Sequence, residues 1–523
     1  MTTSLPQKRS GKAPPSFCLF ALALATVGVV PAFGNTITVT NTNDSGAGSL
    51  RDAIATAASG DTINFSSNIS YPATITISSN SLSVCNVQNL SINGPGASKL
   101  AISGGGSIPV LTICLGTNAA ISGVTIENGN SAGGSVGGGI SNSGTLTLAN
   151  STLSGNYSVY QGGAIANSGM LTITNSTLSG NSTHEQGGAI YNSSNATLTI
   201  TNSTLSGNSS DNDGGGIYND AGTLAVTNST LSGNSAISGG GIYSFSGTFR
   251  MTNSTLSGNS AAYGGGIAND LYSAATLKST LLASNAGGNC ALFTPLTSAG
   301  YNLSDDATCS SAFTQTGDKN STAAGLDPKG LQNNGGPTQT IALLPGSPAV
   351  DAIPPASCTD TNGNPVTTDQ RGVTRPQGAG CDIGAFELVQ AVPFCDFDAF
   401  LAIQTGQHSG FALGAWFTLG SASDGIHPLT EAVTLQIANY TVTIPAGSFH
   451  KLWNGSQAPY GYEGTINGTK LVVGIIPLGG NKYQFDAAGS PVVWNGVKNP
   501  VTVSLTIGND TGSTQVKAVI STR

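Results

Sequence analysis

One heptad, NSTLSGN, occurs five times in this chain, at 150–156, 175–181, 202–208, 228–234 and 253–259. A second motif accompanies it: GGGI or GGAI at 137–140, 162–165, 187–190, 214–217, 239–242 and 264–267. An alternating segment such as TLTL (145–148) or LTIT (171–174) lies between the two motifs. Each unit of 25 to 27 residues therefore holds three short strand-like pieces separated by Gly, Asn and Ser turns. This pattern predicts a parallel β-helix, because one coil cannot bury its own apolar face but stacked coils can.

Stacking would align like residues in ladders about 4.8 Å apart. We expect inward ladders of Ile (Ile140 and its equivalents), of Leu (Leu153 and its equivalents) and of the strand between them (Leu148, Ile173, Ile200, Val226, Met251). The first Asn of each heptad, such as Asn150, is expected at a bend, with its amide hydrogen-bonded along the axis. Gly155 suits a turn with positive φ.

Upstream of the repeat, SLRDAIATAASG (49–60) predicts a short amphipathic helix. Ser49 would cap it, Leu50, Ala53 and Ile54 would share one face, and Gly60 would end it. Such a helix would cover the open apolar end of the β-helix. The sequence thus predicts an all-β chain with a β-helix and N-terminal cap at 35–330.

The first 34 residues have the pattern of a secretory signal peptide. Lys8, Arg9 and Lys12 precede the apolar run at 17–30, and AFG at 32–34 predicts cleavage after Gly34. Cleavage would take the formal net charge from −8 to −11. An acidic chain with few Lys and Arg is a poor nucleic-acid binder. We expect no transmembrane helix after cleavage, and a monomer.

Six of the seven remaining cysteines lie in sequence-near pairs that an exported chain could oxidise: Cys85 and Cys114, Cys290 and Cys309, Cys358 and Cys381. Sequence alone does not fix that connectivity. Alternating segments at 394–523, with a hairpin signal at Asn467-Gly468, predict a β-sandwich-like C-terminal domain.

Enzymatic β-helices need placed carboxylates, and the acids of the repeat concentrate in one turn. The candidate catalytic residues are Glu185 in HEQ (184–186) and Asp211 and Asp213 in DND (211–213), which adjacent coils would bring together. The non-catalytic interpretation, a solvated turn, is favoured because the equivalent turns of other coils lack acids. Histidines are scattered without metal spacing, so we expect no metal and no cofactor.

Three tyrosines, Tyr191, Tyr218 and Tyr243, follow the inward Ile in consecutive coils. They should point outward and stack, and such a stripe could bind the sugar rings of surface glycans or of a host or neighbouring cell. Structural stacking that stiffens the sheet is the alternative. Trp416, Trp453 and Trp494 all lie in the tail, where core packing competes with a carbohydrate-binding face.

The repeats resemble the GGAI and FxxN repeats of the chlamydial polymorphic outer membrane proteins, with Leu in place of Phe. The segment at 331–390, with NNGGPTQTIALLPGSPAVDA (333–352) and DQRGVTRPQGAGCDIGAFEL (369–388), is similar to the choice-of-anchor Q domain that closes secreted bacterial β-helices. The opening TVTNTNDSGAGSLRDAIATAASGDTINF (38–65) resembles the start of many secreted bacterial right-handed β-helix proteins, which implies a right-handed parallel β-helix here. Together these resemblances imply an exported, adhesin-like surface or secreted protein without catalysis. The pectin-lyase-like fold leaves two alternatives open, namely a polysaccharide lyase or glycoside hydrolase, and a carbohydrate-binding module.

Overall fold

The structure is a computed structural model that describes residues 34–132, 137–389, 391–407, 409–421, 423, 425–455 and 457–522. The signal-peptide prediction therefore lies outside the described residues, apart from Gly34. Within the described part of the chain, no helix is both long and apolar enough to cross a membrane.

The repeat region is a parallel β-helix, as the periodicity predicts. Its described strands form three long sheets in which each strand pairs with its equivalent in the next coil. The A sheet comprises Thr36–Val39, Thr62–Phe65, Leu90–Asn93, Asn118–Ser122, Thr145–Ala149, Met170–Thr174, Thr197–Thr201, Thr223–Thr227, Thr248–Thr252, Ala274–Lys278 and Thr297–Ser298. The B sheet comprises Ala73–Thr76, Leu100–Ser103, Thr125–Glu127, Thr152–Ser154, Thr177–Ser179, Thr204–Ser206, Thr230–Ser232, Thr255–Ser257, Leu281–Ala283 and Leu303–Ser304. The C sheet comprises Leu82–Val84, Leu111–Ile113, Ile140–Asn142, Ile165–Asn167, Ile190–Asn192, Ile217–Asp220, Ile242–Phe245, Ile267–Asn269 and Cys290–Leu292.

A fourth, shorter ladder was not expected from the sequence. It links the turn that follows the B strand in four coils, at Asn130–Ser131, Tyr157–Ser158, Ser182–Thr183 and Ser209–Ser210. The turns of the repeat are therefore paired between coils and not only between strands.

The three predicted inward ladders are confirmed. Ile140 pairs with Ile165, Leu153 with Leu178, and all four side chains are fully buried. The ladder from Leu148 to Met251 is at most 1% exposed. Its period-2 alternation sends Thr residues such as Thr147 outward. The Ser that follows the bend in each heptad is buried instead, and Ser176 Oγ accepts from the backbone N–H of Ser151 in the neighbouring coil.

The buried amide ladder is formed by a different asparagine from the one predicted. The first Asn of each heptad lies at the bend, as predicted, with φ between 45° and 50°, a conformation that Asn tolerates. One of the predicted contacts along the axis is present there, from Asn175 Nδ2 to Asn150 Oδ1 at 3.4 Å. The last Asn of each heptad is fully buried, and Asn181 Nδ2 donates to Asn208 Oδ1 at 2.9 Å. The same contact repeats at 2.8–2.9 Å from Asn156 to Asn285. Positive φ at Gly155, expected from the sequence, is confirmed (61°).

The N-terminal helix runs from Leu50 to Thr56 and is shorter than predicted, because Ala57 already has extended backbone. Ser49 caps it by accepting from the backbone N–H of Asp52. Leu50 and Ile54 are buried against the end of the β-helix interior.

The segment after the last coil packs on the outer face of the B sheet, where Leu281 and Leu303 share a core with Ile353 and Ile383. Its strands Leu326–Gln332 and Thr340–Leu343 pair antiparallel, and a 3-10 turn follows at Pro355–Ser357. It then runs back along the outer face of the B sheet. Gln370 accepts from Thr230 Oγ1 at 2.6 Å and donates to Thr204 Oγ1 at 2.9 Å. The Ala385 N–H donates to Thr255 Oγ1 at 3.0 Å.

Two ion pairs lie within this segment, and both involve buried side chains. Arg375 donates to Glu387 at 2.8 Å, with both side chains at most 1% exposed. Arg371 pairs with the buried Asp369 at 2.7 Å and stacks on the ring of Phe386, 3.6 Å from its centroid. Polar residues of the long motif at 369–388 thus hold this segment together and attach it to the B sheet.

The C-terminal domain is a mixed-sheet β-sandwich around one core. Its described five-stranded sheet comprises Val392–Pro393, Asp510–Val516, Val501–Ile507, Val433–Ile437 and Tyr440–Ile444. Its described seven-stranded sheet comprises His450–Lys451, Tyr460–Ile466, Thr469–Gly479, Lys482–Ser490, Gly410–Thr418, Asp396–Thr405 and Val519–Thr522. Phe485 and Val503 lie fully buried between the two sheets.

Candidate functional site

In the predicted acidic turn His184 and Asp211 are exposed, whereas Glu185 and Asp213 are partly buried. The register differs from the one that would join Glu185 to Asp211. Thr183 pairs with Ser210, so the next residues along, His184 and Asp211, are neighbours. His184 Nδ1 lies 2.8 Å from Asp211 Oδ2, and the side chains are 65% and 70% exposed. This is an exposed ion pair or hydrogen bond, of the kind that contributes little.

Glu185 takes part in the turn through its backbone. Its N–H donates to Thr183 Oγ1, and its carbonyl accepts from the hydroxyl of Ser210. The second of these bonds joins the turn of one coil to the turn of the next, and neither bond involves the Glu185 carboxylate.

Asp213 is half-buried and faces the tyrosines. It is bridged to Ser238 of the next coil, whose backbone and hydroxyl hydrogen-bond to its carboxylate. Burial raises its pKa, the charge of Asp270 adds to that effect, and the bonds from Ser238 oppose it.

The three tyrosines lie on the outer face of the C sheet, one in each of three paired strands. Their rings stack nearly parallel, with centroids 5.5 Å apart for Tyr191 and Tyr218 and 5.1 Å apart for Tyr218 and Tyr243. Although they leave the core, Tyr191 and Tyr243 are only 8% and 9% exposed.

Two aspartates at the edge of the stack accept from its hydroxyls. Tyr191 Oη donates to Asp220 Oδ2, and Tyr243 Oη donates to Asp270 Oδ2, both at 2.6 Å. Burial raises the pKa of all three tyrosines, and the neighbouring carboxylates raise it further. The hydroxyls stay protonated, and the two carboxylates are fixed as acceptors.

This geometry leaves little ring surface for a sugar. A sugar stacks on the flat face of an aromatic ring, and here each inner face is covered by the next tyrosine. Beyond the ends of the stack, the equivalent positions are Ala166 and Ala268, both buried. The contacts favour the interpretation in which the stack stiffens the sheet.

Among the residues that the structure describes, no three His, Cys, Asp or Glu side chains are grouped closely enough to hold a metal ion. His408 lies outside those residues.

Six cysteines are joined in the structure as Cys85–Cys114, Cys290–Cys309 and Cys358–Cys381. The first disulfide joins neighbouring coils, next to the paired strand ends Val84 and Ile113. Cys395 is a free and exposed thiol.

Comparison of the chain with family models, with curated proteins and with solved structures finds no match in any of the three.

Proposed function

We propose that this protein is an exported, surface-displayed or secreted β-helix with an adhesin-like role, which binds and does not catalyse. The signal-peptide pattern and the resemblance to polymorphic outer membrane protein repeats and to choice-of-anchor Q domains support export. Three disulfides are typical of proteins in oxidising compartments.

The observation that carries the non-catalytic part is the environment of the acids on the β-helix. Asp220 and Asp270 are engaged by tyrosine hydroxyls, and Asp211 is exposed beside His184. A glycosidase needs two carboxylates that flank one bond, one of them protonated at working pH. Asp220 and Asp270 instead accept hydrogen bonds from tyrosines of neighbouring coils and so link one coil to the next.

One observation favours the alternative, a polysaccharide lyase or glycoside hydrolase of the pectin-lyase-like fold. Asp213 is half-buried with a raised pKa, as a general acid would be, and it lies close enough to Tyr218 for its charge to raise the pKa of that hydroxyl. The alternative would make Asp213 the acid on this face.

A turnover assay on the mature protein separates the two. Pectin, polygalacturonate and neutral glucans are incubated with it, and reducing ends and unsaturated products are measured. We expect no product above a heat-denatured control. Product formation that Asp213→Asn, Glu185→Gln or Asp211→Asn abolishes, while the distant control Asp327→Asn keeps it, would overturn the proposal.

A further inference from the structure

The two outer faces of the C-terminal sandwich differ in chemistry. On the five-stranded sheet, cross-strand hydroxyls pair with each other, Thr434 with Thr443 at 2.9 Å and Ser504 with Ser513 at 3.0 Å. That is the composition of a solvated face. The outer face of the seven-stranded sheet carries glycine, alanine and exposed apolar side chains instead, including Trp416 and Phe400.

A row of three glycines and one aspartate crosses that face, and part of it forms the floor of a trough. Gly414, Asp486, Gly474 and Gly461 lie side by side across four neighbouring strands. A cavity of about 480 Å³ lies over the part of this row formed by Asp486, Gly474 and Gly461, with the side chain of Leu452 against Gly461. Gly414 and Trp416 lie beside this cavity and not in its lining. That volume is within the range of binding sites for small ligands, which is roughly 300–1,000 Å³.

An aromatic side chain and a carboxylate meet at one end of this floor. Measured from the position that a Cβ would take on Gly414, Trp416 Cη2 lies at 3.6 Å and Asp486 Oδ1 at 3.5 Å. The indole therefore extends along its own strand over the glycine, and it is 45% exposed. Gln484 Nε2 donates to both oxygens of Asp486, at 3.1 Å and 2.8 Å, and fixes the carboxylate. A carboxylate has about four acceptor positions, so capacity for a ligand remains.

Neither the backbone nor the packing requires glycine at 474. Its φ is not among the positive ones, and a Cβ there would meet nothing within 4 Å. Glycine inside a strand costs roughly 0.5–1 kcal/mol relative to alanine. A strand glycine often marks a place where a ligand approaches the backbone closely.

The charge of the face indicates the type of ligand. Outward positions of the described strands hold four acids and two lysines: Asp396, Asp398, Glu463, Asp486, Lys470 and Lys482. Lys470 is paired with Glu463 at 2.9 Å. An anionic polymer would be repelled from this face.

We propose that this trough binds an uncharged polysaccharide, which lies over Gly474 and continues past Asp486, where one pyranose ring stacks on Trp416 beside the trough and its hydroxyls donate to Asp486. An apolar platform with a few placed polar groups is the usual construction of such sites. This inference goes beyond the proposed function, because it assigns a ligand class to the C-terminal domain. It does not depend on whether the β-helix is catalytic.

The test is retention of the full mature chain on insoluble neutral polysaccharides, with cellulose, starch and a β-1,3-glucan as probes and polygalacturonate as the anionic comparison. We expect retention on at least one neutral probe and quenching of tryptophan fluorescence by its soluble oligosaccharides. Trp416→Ala should weaken binding at least tenfold. Phe293→Ala, which removes an exposed ring from the β-helix, should leave binding unchanged.

Gly474→Val separates binding from folding. The open space above Gly474 accommodates the side chain, so the unfolding midpoint of the domain should stay the same or rise, while retention is lost. The proposal is overturned if no neutral probe retains the protein, or if retention survives both Trp416→Ala and Gly474→Val. Preferential retention on polygalacturonate or on an unfolded polypeptide such as casein, lost in Gly474→Val, would also overturn it.

Discussion

The buried asparagine ladder allows the sharpest test of how the β-helix is stabilised. Asn208 is fully buried in the middle of the ladder. Its side-chain Nδ2 donates to Leu178 O at 3.0 Å and to Asn234 Oδ1 at 2.8 Å. Its Oδ1 accepts from the backbone and side-chain nitrogens of Asn181, at 3.0 Å and 2.9 Å. Asn208→Ala would remove all four bonds.

The backbone N–H of Asn181 and the carbonyl of Leu178 would then be buried without their side-chain partner. The other two groups keep a second bond, because Asn181 Nδ2 also donates to Leu153 O and Asn234 Oδ1 also accepts from the backbone N–H of residue 208. Each orphaned buried group costs about 1–3 kcal/mol. We therefore expect Asn208→Ala to lower the free energy of unfolding of the β-helix by about 2–6 kcal/mol. Ser206→Ala, an outward change in the same heptad, should stay within about 0.5 kcal/mol.

The chain offers separate probes for its two parts. Its three tryptophans all lie in the C-terminal domain, whereas the stacked tyrosines lie in the β-helix, in the same coils as Asn208. In urea titrations, near-ultraviolet circular dichroism of the tyrosines should show an earlier transition in Asn208→Ala, with the tryptophan fluorescence transition unchanged. A loss below about 1 kcal/mol, or an equal shift of both transitions, would refute the reasoning.

Three further predictions concern charge and cysteine pairing. Hydrogen bonds from Arg51 and from two serines outweigh burial and lower the pKa of Asp44 to about 2 from 3.8, so its stabilisation is present above pH 4 and lost as pH falls through 2. Asp44→Asn should thus cost about 2 kcal/mol at neutral pH and almost nothing near pH 2, measured by urea titration; equal loss at both values would contradict this. Arg375→Met leaves Glu387 buried and unpaired, and should destabilise the segment at 331–390 by about 3–5 kcal/mol, seen as faster proteolysis there; unchanged cleavage would argue against the pair. In the unfolded, unreduced chain from residue 35 on, thiol titration should find one free thiol, Cys395, and three or more would contradict the pairing.

The fold was largely predictable because its signal is repeated. Because equivalent residues of neighbouring coils lie next to each other, the inward positions of Ile140 and Leu153 can be read from five or six copies in the sequence. Two asparagines occur in the same heptad, and periodicity cannot tell which is buried. Both lie in register along the axis, and only the structure shows that the last one, such as Asn156, forms the continuous buried ladder, whereas the first one has positive φ at the bend.

The candidate site was less predictable, because it depends on register and not on period. A difference of one residue brings His184, and not Glu185, beside Asp211. The trough of the C-terminal domain has no repeat to reveal it. Gly474 and Asp486 face each other across one hairpin, whereas Trp416 lies on the distant strand Gly410–Thr418, and only the cross-strand register brings it beside them.

The most direct test of the account combines binding and turnover in one sample. The mature protein is incubated with each neutral polysaccharide, retained protein is measured in the pellet, and released sugars are measured in the supernatant. The account predicts retention that depends on Trp416, with no product over the no-enzyme control. Product release that requires Asp213, or the absence of retention on every neutral polysaccharide, would contradict it.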